Sequence, residues 1–551
     1  MHKSPRFLER LSYAVIGLAA LVELLGPFMV RTLGYDGFHA LMWIDGFPDV
    51  LSDGVWYPHW LPDGYGRLGS LTFYFYPPLA YFIIAPFRLL LASGDAISIY
   101  HLFGILATLA SLITMHYLLR VLHSSSKLAW LGALMYAFSP YHLNVLYIRS
   151  GPAEHLAFVW APLVFAGLFK LLNNSKSSSG FWLLGFSWGL LLLSHVPAAA
   201  TVGLAGLVVI IVNLRNEYWG KVSLVVLAVL LGSGLAAFYL LPVEHFRSLA
   251  QLQYLQVTHE GLEDQLLSVL DLLHGHDFSV SGIGFVQYLV VIVITIALLR
   301  EWRLHGKKND LFQQLLWVGI AIIFFQTVLI SRPVWNILHL TQIIQFAWRW
   351  GLLGSLLAAV AFAKIVQERS RPLVNWAAIA LMATALFFGI VTDFNIRVHA
   401  RDHQRTPFDP PEYVPVWADS SKERVIQFAL AHEGDPLAQD TAGHHIPIHM
   451  LARQSNLMHF TIQVDTPMAV VLHHWYWPDW KAWDIRRNQE IAQRPFKDGR
   501  AVLELPAGKS DVLYELMTDE SEKEGRSISV WSLAAVLVVT VVIGLSQRKK
   551  T

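Results

Sequence analysis

The run "FYFYPPLAYFIIAPFRLLLA", residues 73–92, decides the topology of this chain. A helix of about 20 apolar residues crosses a hydrocarbon core of ~30 Å, so by length alone the run qualifies as a span. Against a crossing stand Pro77, Pro78 and Pro86, and Arg88 inside the run. Proline removes backbone donors and kinks helices, and rings such as tyrosine favour the headgroup level. The composition predicts a juxtamembrane helix lying in the outer interface.

Twelve further apolar runs surround it, at 11–30, 99–122, 128–147, 155–172, 180–195, 197–214, 221–241, 283–299, 312–330, 350–366, 373–391 and 528–546. The chain is 54% hydrophobic and 15% charged, against roughly 25% charged in soluble domains. It reads as a polytopic membrane protein. "HKSPRFLER" and "SQRKK" place both ends in the cytoplasm by the basic-loop rule. Two inner ends require an even number of crossings, and setting 73–92 aside leaves twelve. The basic loops around 120–127, 170–176, 215–221, 300–308 and 367–372 then all face inward. The first run follows a basic head with no small-residue cleavage site, and is expected to be a retained span. Lys plus Arg is 41 and Asp plus Glu is 40, so charge names no nucleic-acid partner; with no cysteine, disulfides and thiolate metal sites are excluded.

This topology sends the polar segments outward: the loop 31–98, "YIRSGPAEHL" (147–156), Ser194 and His195, the loop 242–282, the segment 331–350, and a hydrophilic region at 393–527. In that last region "MHFTIQVDT", "MAVVLHHWYW", "AVLELP" and "DVLYELM" have strand composition with turn signals such as "PAG" between them, predicting an outer β-sandwich. The expected fold is an all-α polytopic domain of about twelve transmembrane helices over 1–392, a β-rich extracytoplasmic domain at 393–527, and a final span with a basic tail at 528–551.

Several outer residues admit two readings. Asp36 in "GYDGFH" lies just beyond the first span. It is either a solvated turn residue or a partly desolvated carboxylate able to act as a base. Asp45, Asp49, Asp53 and Asp63 read as solvated loop residues. Arg149 and Glu154 share one tight hairpin, as topological anchors, as an ion pair, or as binders of a phosphate and a hydroxyl. Arg349, between Trp348 and Trp350, either snorkels at the interface or forks onto a lipid phosphate. His195 is a packed or pore-facing residue, or a ligand or acid. The pairs His444–His445 and His473–His474 invite zinc, but neighbours on a strand point to opposite faces, and "HGHD" (274–277) is a weak signal alone. No metal is assigned to any residue, although a divalent cation is compatible with the chemistry.

"GYDGFHAL", "WYPHWLPDGYGRLGSLTFYFYPPLAYF", "RSGPAEHLAFVWAPL" and "QFAWRW" together resemble the bacterial PTPS-related multi-spanning membrane proteins, which are similar to GT-C glycosyltransferases. "HHWYWPDWKAW" followed by "LELPAG" resembles the outer β-domain of large membrane glycosyltransferases. The resemblance implies a polyprenyl-phosphate sugar donor, a glycan, lipid or protein acceptor, and chemistry on the outer face of a bacterial cytoplasmic membrane. It gives the catalytic acidic residue of the first loop to Asp36. The position before the tryptophan of "YPHW", usually basic, is His59. From chemistry, His39 joins Asp36 and Glu154 as catalytic candidates. Arg149, Arg349, His195, His59, Trp60 and Tyr76 are candidate substrate or phosphate ligands, with Trp56, Tyr57, Trp60 and Tyr65 available to stack on sugars. The rivals are a transporter or flippase of lipid-linked glycans, which would carry polar groups at mid-membrane, and a non-catalytic polysaccharide-assembly protein.

Overall fold

In the computed structural model, the described residues are 37–91, 95–174, 177–213, 219–252, most of 291–300 and 311–368, 410–419 and 421–548. Asp36, "HGHD" and the runs 11–30 and 373–391 lie outside them. The chain forms two compact units, one of residues 1–40, 93–233 and 259–405, the other of 41–92, 234–258 and 406–551.

The first unit is helical. Helices Ala96–Val121 and Pro152–Asn173 are each long and apolar enough to cross a membrane; Trp219–Leu235 is a shorter apolar helix. Ser178–Ser194, Val196–Asn213 and Leu311–Gln326 are shorter apolar helices. Large apolar side chains lie on outward faces as well as inside: Leu109, Ile113, Trp130, Leu207 and Ile211 are all exposed. A helix apolar all round suits a lipid environment. The run 128–147 is not one helix. Ser126–Ala137 stops, Ser139 caps a new turn that opens on Pro140, and Asn144–Arg149 is a six-residue π-helical turn. Proline at a helix start needs no amide partner, which explains the break there.

The second unit contains the strands. Sheet one has the order β1–β4–β8–β7, from Ala438–Gln439, Met468–Trp475, Arg500–Leu505 and Gln493–Pro495. Sheet two has the order β2–β3–β9–β5–β6, from Ile448–Gln454, Leu457–Val464, Gly508–Leu516, Trp480–Asp484 and Gln489–Ile491. Every pairing is antiparallel. Met458, Phe460, Ile462 and Val464 alternate inward along β3 and meet Val470, Leu472, Leu503, Val512 and Tyr514 in one core. The four strand segments expected from sequence are strands here. The "PAG" turn, however, carries the chain from one sheet to the other instead of closing a hairpin.

Two expectations change. Residues 41–92 and 234–258 fold with the strands, so that unit is not the linear segment 393–527. Backbone bonds from Trp475 N to Leu68 O (2.8 Å) and from Gln251 N to Val414 O (3.0 Å) knit these distant pieces together. The stretch carrying Asp45 and Asp49 is also not a loop but a helix, Gly37–Ser52. Ala40, Trp43, Ile44, Phe47 and Val50 recur at helical spacing and are all buried. Their period outweighs the turn-forming Asp and Gly residues between them. Asp45 pairs with Arg88 at 2.7 Å.

Candidate functional site

In the helical unit the hairpin "YIRSGPAEHL" builds a charged cluster. The π-turn ends at Arg149, Ser150 takes a left-handed conformation (φ 54°), and Pro152 starts the next helix. π-turns of this kind recur at functional sites. Glu154 sits in the first helical turn, where the exposed amide dipoles favour a carboxylate. It is 2% exposed. Its Oε2 is ion-paired with the Arg149 guanidinium, and its Oε1 accepts from the Tyr141 hydroxyl at 2.6 Å. Tyr141 is held in turn by Gly351: a Cβ there would lie 2.5 Å from the tyrosine ring, so only glycine leaves the ring its place.

His195 reaches the same carboxylate, Nε2 standing 3.9 Å from Glu154 Oε2. Its Nδ1 accepts from Ala198 N at 3.2 Å, at the start of helix Val196–Asn213. An accepting Nδ1 carries no proton, so in the neutral ring the proton is on Nε2, facing Glu154. Arg349, in the turn Ala347–Trp350, is buried, Nη1 donating to Ile344 O at 2.8 Å, with its guanidinium 5.0 Å from the Phe346 ring centre. This is not a snorkelling geometry. Its charge acts on both Glu154 and His195. Next in sequence, His155 turns to another partner set, its Nε2 lying 3.1 Å from Gly104 O and from Thr108 Oγ1. The helical unit thus holds buried polar groups beyond the hairpin.

The strand-bearing unit gathers other candidates. A cavity of about 330 Å³ is lined by Asp53, Trp56, His59, Ser455, Asn456 and Arg526, among others. Trp56 is 49% exposed and carries the Arg526 guanidinium 5.0 Å from its ring centre. Asp53 accepts from Ser455 N at 2.9 Å. His59 packs 4.4 Å from the Tyr74 ring, and burial pushes its imidazole below the ordinary value.

Of the four aromatics expected to stack on sugars, Trp56 alone is open. Trp60 is buried against His474, and its edge fills the space that a side chain at Gly69 (φ 87°) would need. Tyr57 and Tyr65 are buried, their hydroxyls donating to Phe73 O and Pro410 O. Tyr76 packs 4.7 Å from Trp43. Burial of large rings stabilises this unit more than exposure would serve a ligand. His39 stands in the first turn of helix Gly37–Ser52.

The histidine pairs do not converge. His473 bonds Gly66 O at 2.8 Å and His474 bonds Trp475 O at 2.6 Å, while exposed His444 pairs with Asp440 at 2.8 Å. Tyr141 is the residue that sequence reasoning missed. It lies 13 positions from Glu154, on the other side of the turn at Ser150 and Gly151, with no periodic signal to link them.

Solved structures similar to this chain include the arabinofuranosyltransferase AftD from Mycobacteria, at 15% identity and a TM-score of 0.42, covering 73% of this chain and 27% of that one. The oligosaccharyltransferase AglB from Archaeoglobus fulgidus, in complex with an inhibitory peptide and a dolichol-phosphate, matches at 13% identity and TM-score 0.44, covering 77% and 60%. ArnT from Cupriavidus metallidurans bound to undecaprenyl phosphate matches at 14% and 0.39, covering 76% and 75%. The chain thus spans about a quarter of AftD and 60% of AglB. No curated protein matches it. Residues 73–397, more than half of the chain, match the family described as "6-pyruvoyl-tetrahydropterin synthase related domain; membrane protein", and the chain belongs to that PTPS-related membrane family.

Proposed function

We propose that this chain is a GT-C type membrane glycosyltransferase that moves a sugar from a polyprenyl-phosphate donor to an acceptor hydroxyl, with inversion, on the outer face of the cytoplasmic membrane. The proposal includes twelve crossings, cytoplasmic ends, and an outer-surface placement of 73–92. The observation that carries it is the gathering of Arg149, Tyr141 and His195 around one buried carboxylate, Glu154, with the charge of Arg349 acting on the same groups. Such a cluster is preorganised: its dipoles and charges are fixed before substrate arrives, which is what stabilises a developing anion.

In this reading Asp36 accepts the proton of the acceptor hydroxyl as its oxygen bonds to the anomeric carbon. The bond from that carbon to the lipid phosphate breaks, and the phosphate leaves with the electron pair. Arg149 and Arg349 meet its growing charge, and His195 offers its Nε2 proton as a hydrogen bond. Both oxygens of Glu154 are engaged, so its role is to hold Arg149 and orient His195 rather than to take a proton. His39 orients Asp36 or the donor phosphate. Independently of that step, the aromatic and polar cavity beside Trp56, with His59 on its wall, is proposed as a sugar-binding place of the strand-bearing unit taken by itself.

The test is direct transfer. Purified chain in lipid is offered a panel of polyprenyl-phosphate sugars and hydroxyl acceptors. Asp36→Asn keeps the shape and removes the base, and should cut transfer by about 100-fold or more. Transfer by Asp36→Asn at the wild-type rate removes the enzyme reading. Movement of intact lipid-linked sugar across the bilayer without transfer would replace it with the flippase.

A further inference from the structure

The strand-bearing unit carries a polar cluster that the transfer reading does not use. His245 stands near the end of helix Ala237–Phe246, Asp479 just before β5, and Asp519 just before helix Glu520–Arg548. His245 Nε2 is 3.5 Å from Asp479 Oδ1 and 3.8 Å from Asp519 Oδ1. One ligand atom from each residue fits within 4.8 Å of the others. Both separations exceed the ~3.2 Å limit of a good N–H···O bond.

The second observation is independent of this spacing. Among the described residues, His245 Nε2 and Asp479 Oδ2 are buried atoms with no hydrogen-bond partner, on side chains 37% and 15% exposed. Buried polar atoms are paired in the great majority of cases, so two together mark a missing partner. Asp519 divides its labour: Oδ2 accepts from Ser521 N at 2.7 Å and from the Ser521 hydroxyl, while Oδ1 faces His245. Nearby, Glu522 is occupied by Tyr74 at 2.7 Å and by Arg526 at 3.2 Å. His245 is the imidazole that faces both Asp479 and Asp519, while Arg526 is engaged by Glu522.

We propose that His245, Asp479 and Asp519 form a divalent-cation site, with Zn²⁺ the fitting ion. One imidazole nitrogen and two carboxylate oxygens suit zinc, and bonds of about 2.0–2.2 Å around a tetrahedron set donor atoms about 3.4 Å apart. The observed separations of 3.5 and 3.8 Å need little contraction. Water completes the fourth position. The ion joins three segments far apart in sequence, so its part is to fasten the unit rather than to react. The competing state is His245 facing the two carboxylates with no metal between them.

The full-length chain in detergent is stripped with chelator, dialysed against micromolar Zn²⁺, and its metal content measured by atomic spectroscopy. Wild type should hold about one zinc per chain. His245→Gln, Asp479→Asn and Asp519→Asn should each weaken retention at least tenfold, Asn at 519 preserving the helix cap. His444→Gln, at the exposed pair with Asp440, should change nothing. Because a variant could fail to fold, Co²⁺ is also loaded into the wild type, where a tetrahedral nitrogen–oxygen site gives visible d–d absorption. A wild type that retains no zinc, cobalt bands that do not appear, or equal loss in His444→Gln overturns the site.

Discussion

His195 of the helical unit and the pair His473–His474 of the strand-bearing unit are buried in opposite ways. In the helical unit His195 presents a ring proton to a buried carboxylate, under the charge of two guanidinium groups. In the strand-bearing unit His473 and His474 spend a ring nitrogen on backbone carbonyls, and His474 lies between Trp60 and Trp480. A carbonyl partner satisfies a ring and fixes strand geometry. A carboxylate partner with cations nearby makes a field that a reacting anion can use. The difference separates structural from chemical histidines without reference to sequence position.

The comparison breaks most visibly at Glu154. Glu154→Ala removes the carboxylate that pairs with the buried Arg149 guanidinium. Removing one partner of a buried pair costs about 3–5 kcal/mol, so the full chain should melt at markedly lower temperature and lose transfer. His474→Phe, which loses one ring-to-carbonyl bond, should cost about 1 kcal/mol and leave transfer near wild type. A larger melting loss in His474→Phe than in Glu154→Ala, or a loss of transfer in His474→Phe, would break the comparison.

Gly351→Ala tests how the cluster is held. The added methyl meets the Tyr141 ring at 2.5 Å, and overpacking of this sort costs about 1–3 kcal/mol. Transfer should fall more than in Tyr141→Phe, which removes only the hydroxyl. Equal transfer rates in the two variants would show that ring position is immaterial.

Arg349→Lys sharpens the phosphate reading. A planar fork and an ammonium differ in how they grip phosphate, and apparent donor affinity should weaken roughly tenfold, worth about 1.4 kcal/mol. Unchanged donor affinity returns Arg349 to packing against Phe346.

The smallest effect is a pH slope. Burial lowers His474 from 6.5 to about 3. The unfolded chain therefore binds the proton first, and stability contributed by the neutral ring is complete above pH 6.5 and is lost as pH falls toward 3. Melting temperature followed over that window should drop less steeply in His474→Phe than in wild type. Identical slopes would remove His474 as a cause.

Sequence patterns exposed one class of feature well. Long apolar runs gave Ala96–Val121 and Pro152–Asn173 to within three residues at each end, and strand composition gave β3. The Arg149–Glu154 pair was within reach because five residues separate the partners. What stayed hidden was whatever depended on distance along the chain. Tyr141 reaches Glu154 across the turn at Ser150 and Gly151, and Trp60 is buried by a strand more than 400 positions later. Helix Gly37–Ser52 was hidden for another reason: its aspartates and glycines carry turn signals, while its five buried apolar positions carry the stronger helical one. Whether Asp36 stands near Glu154 lies outside the described residues, so transfer by Asp36→Asn is the measurement that joins the two.

The discontinuity of the strand-bearing unit has a consequence for synthesis. Residues 41–92 end more than 300 positions before residue 406, where the last segment of the same unit begins. At about 5–20 residues per second, a ribosome needs roughly 15–60 s to cover that interval. Throughout it Trp60, Tyr65 and Leu68 have no strands to bury them. The early segment must be shielded by lipid or by a chaperone, and a chain cut short before residue 406 would expose a sticky half-domain to quality-control proteases however well its helices had inserted.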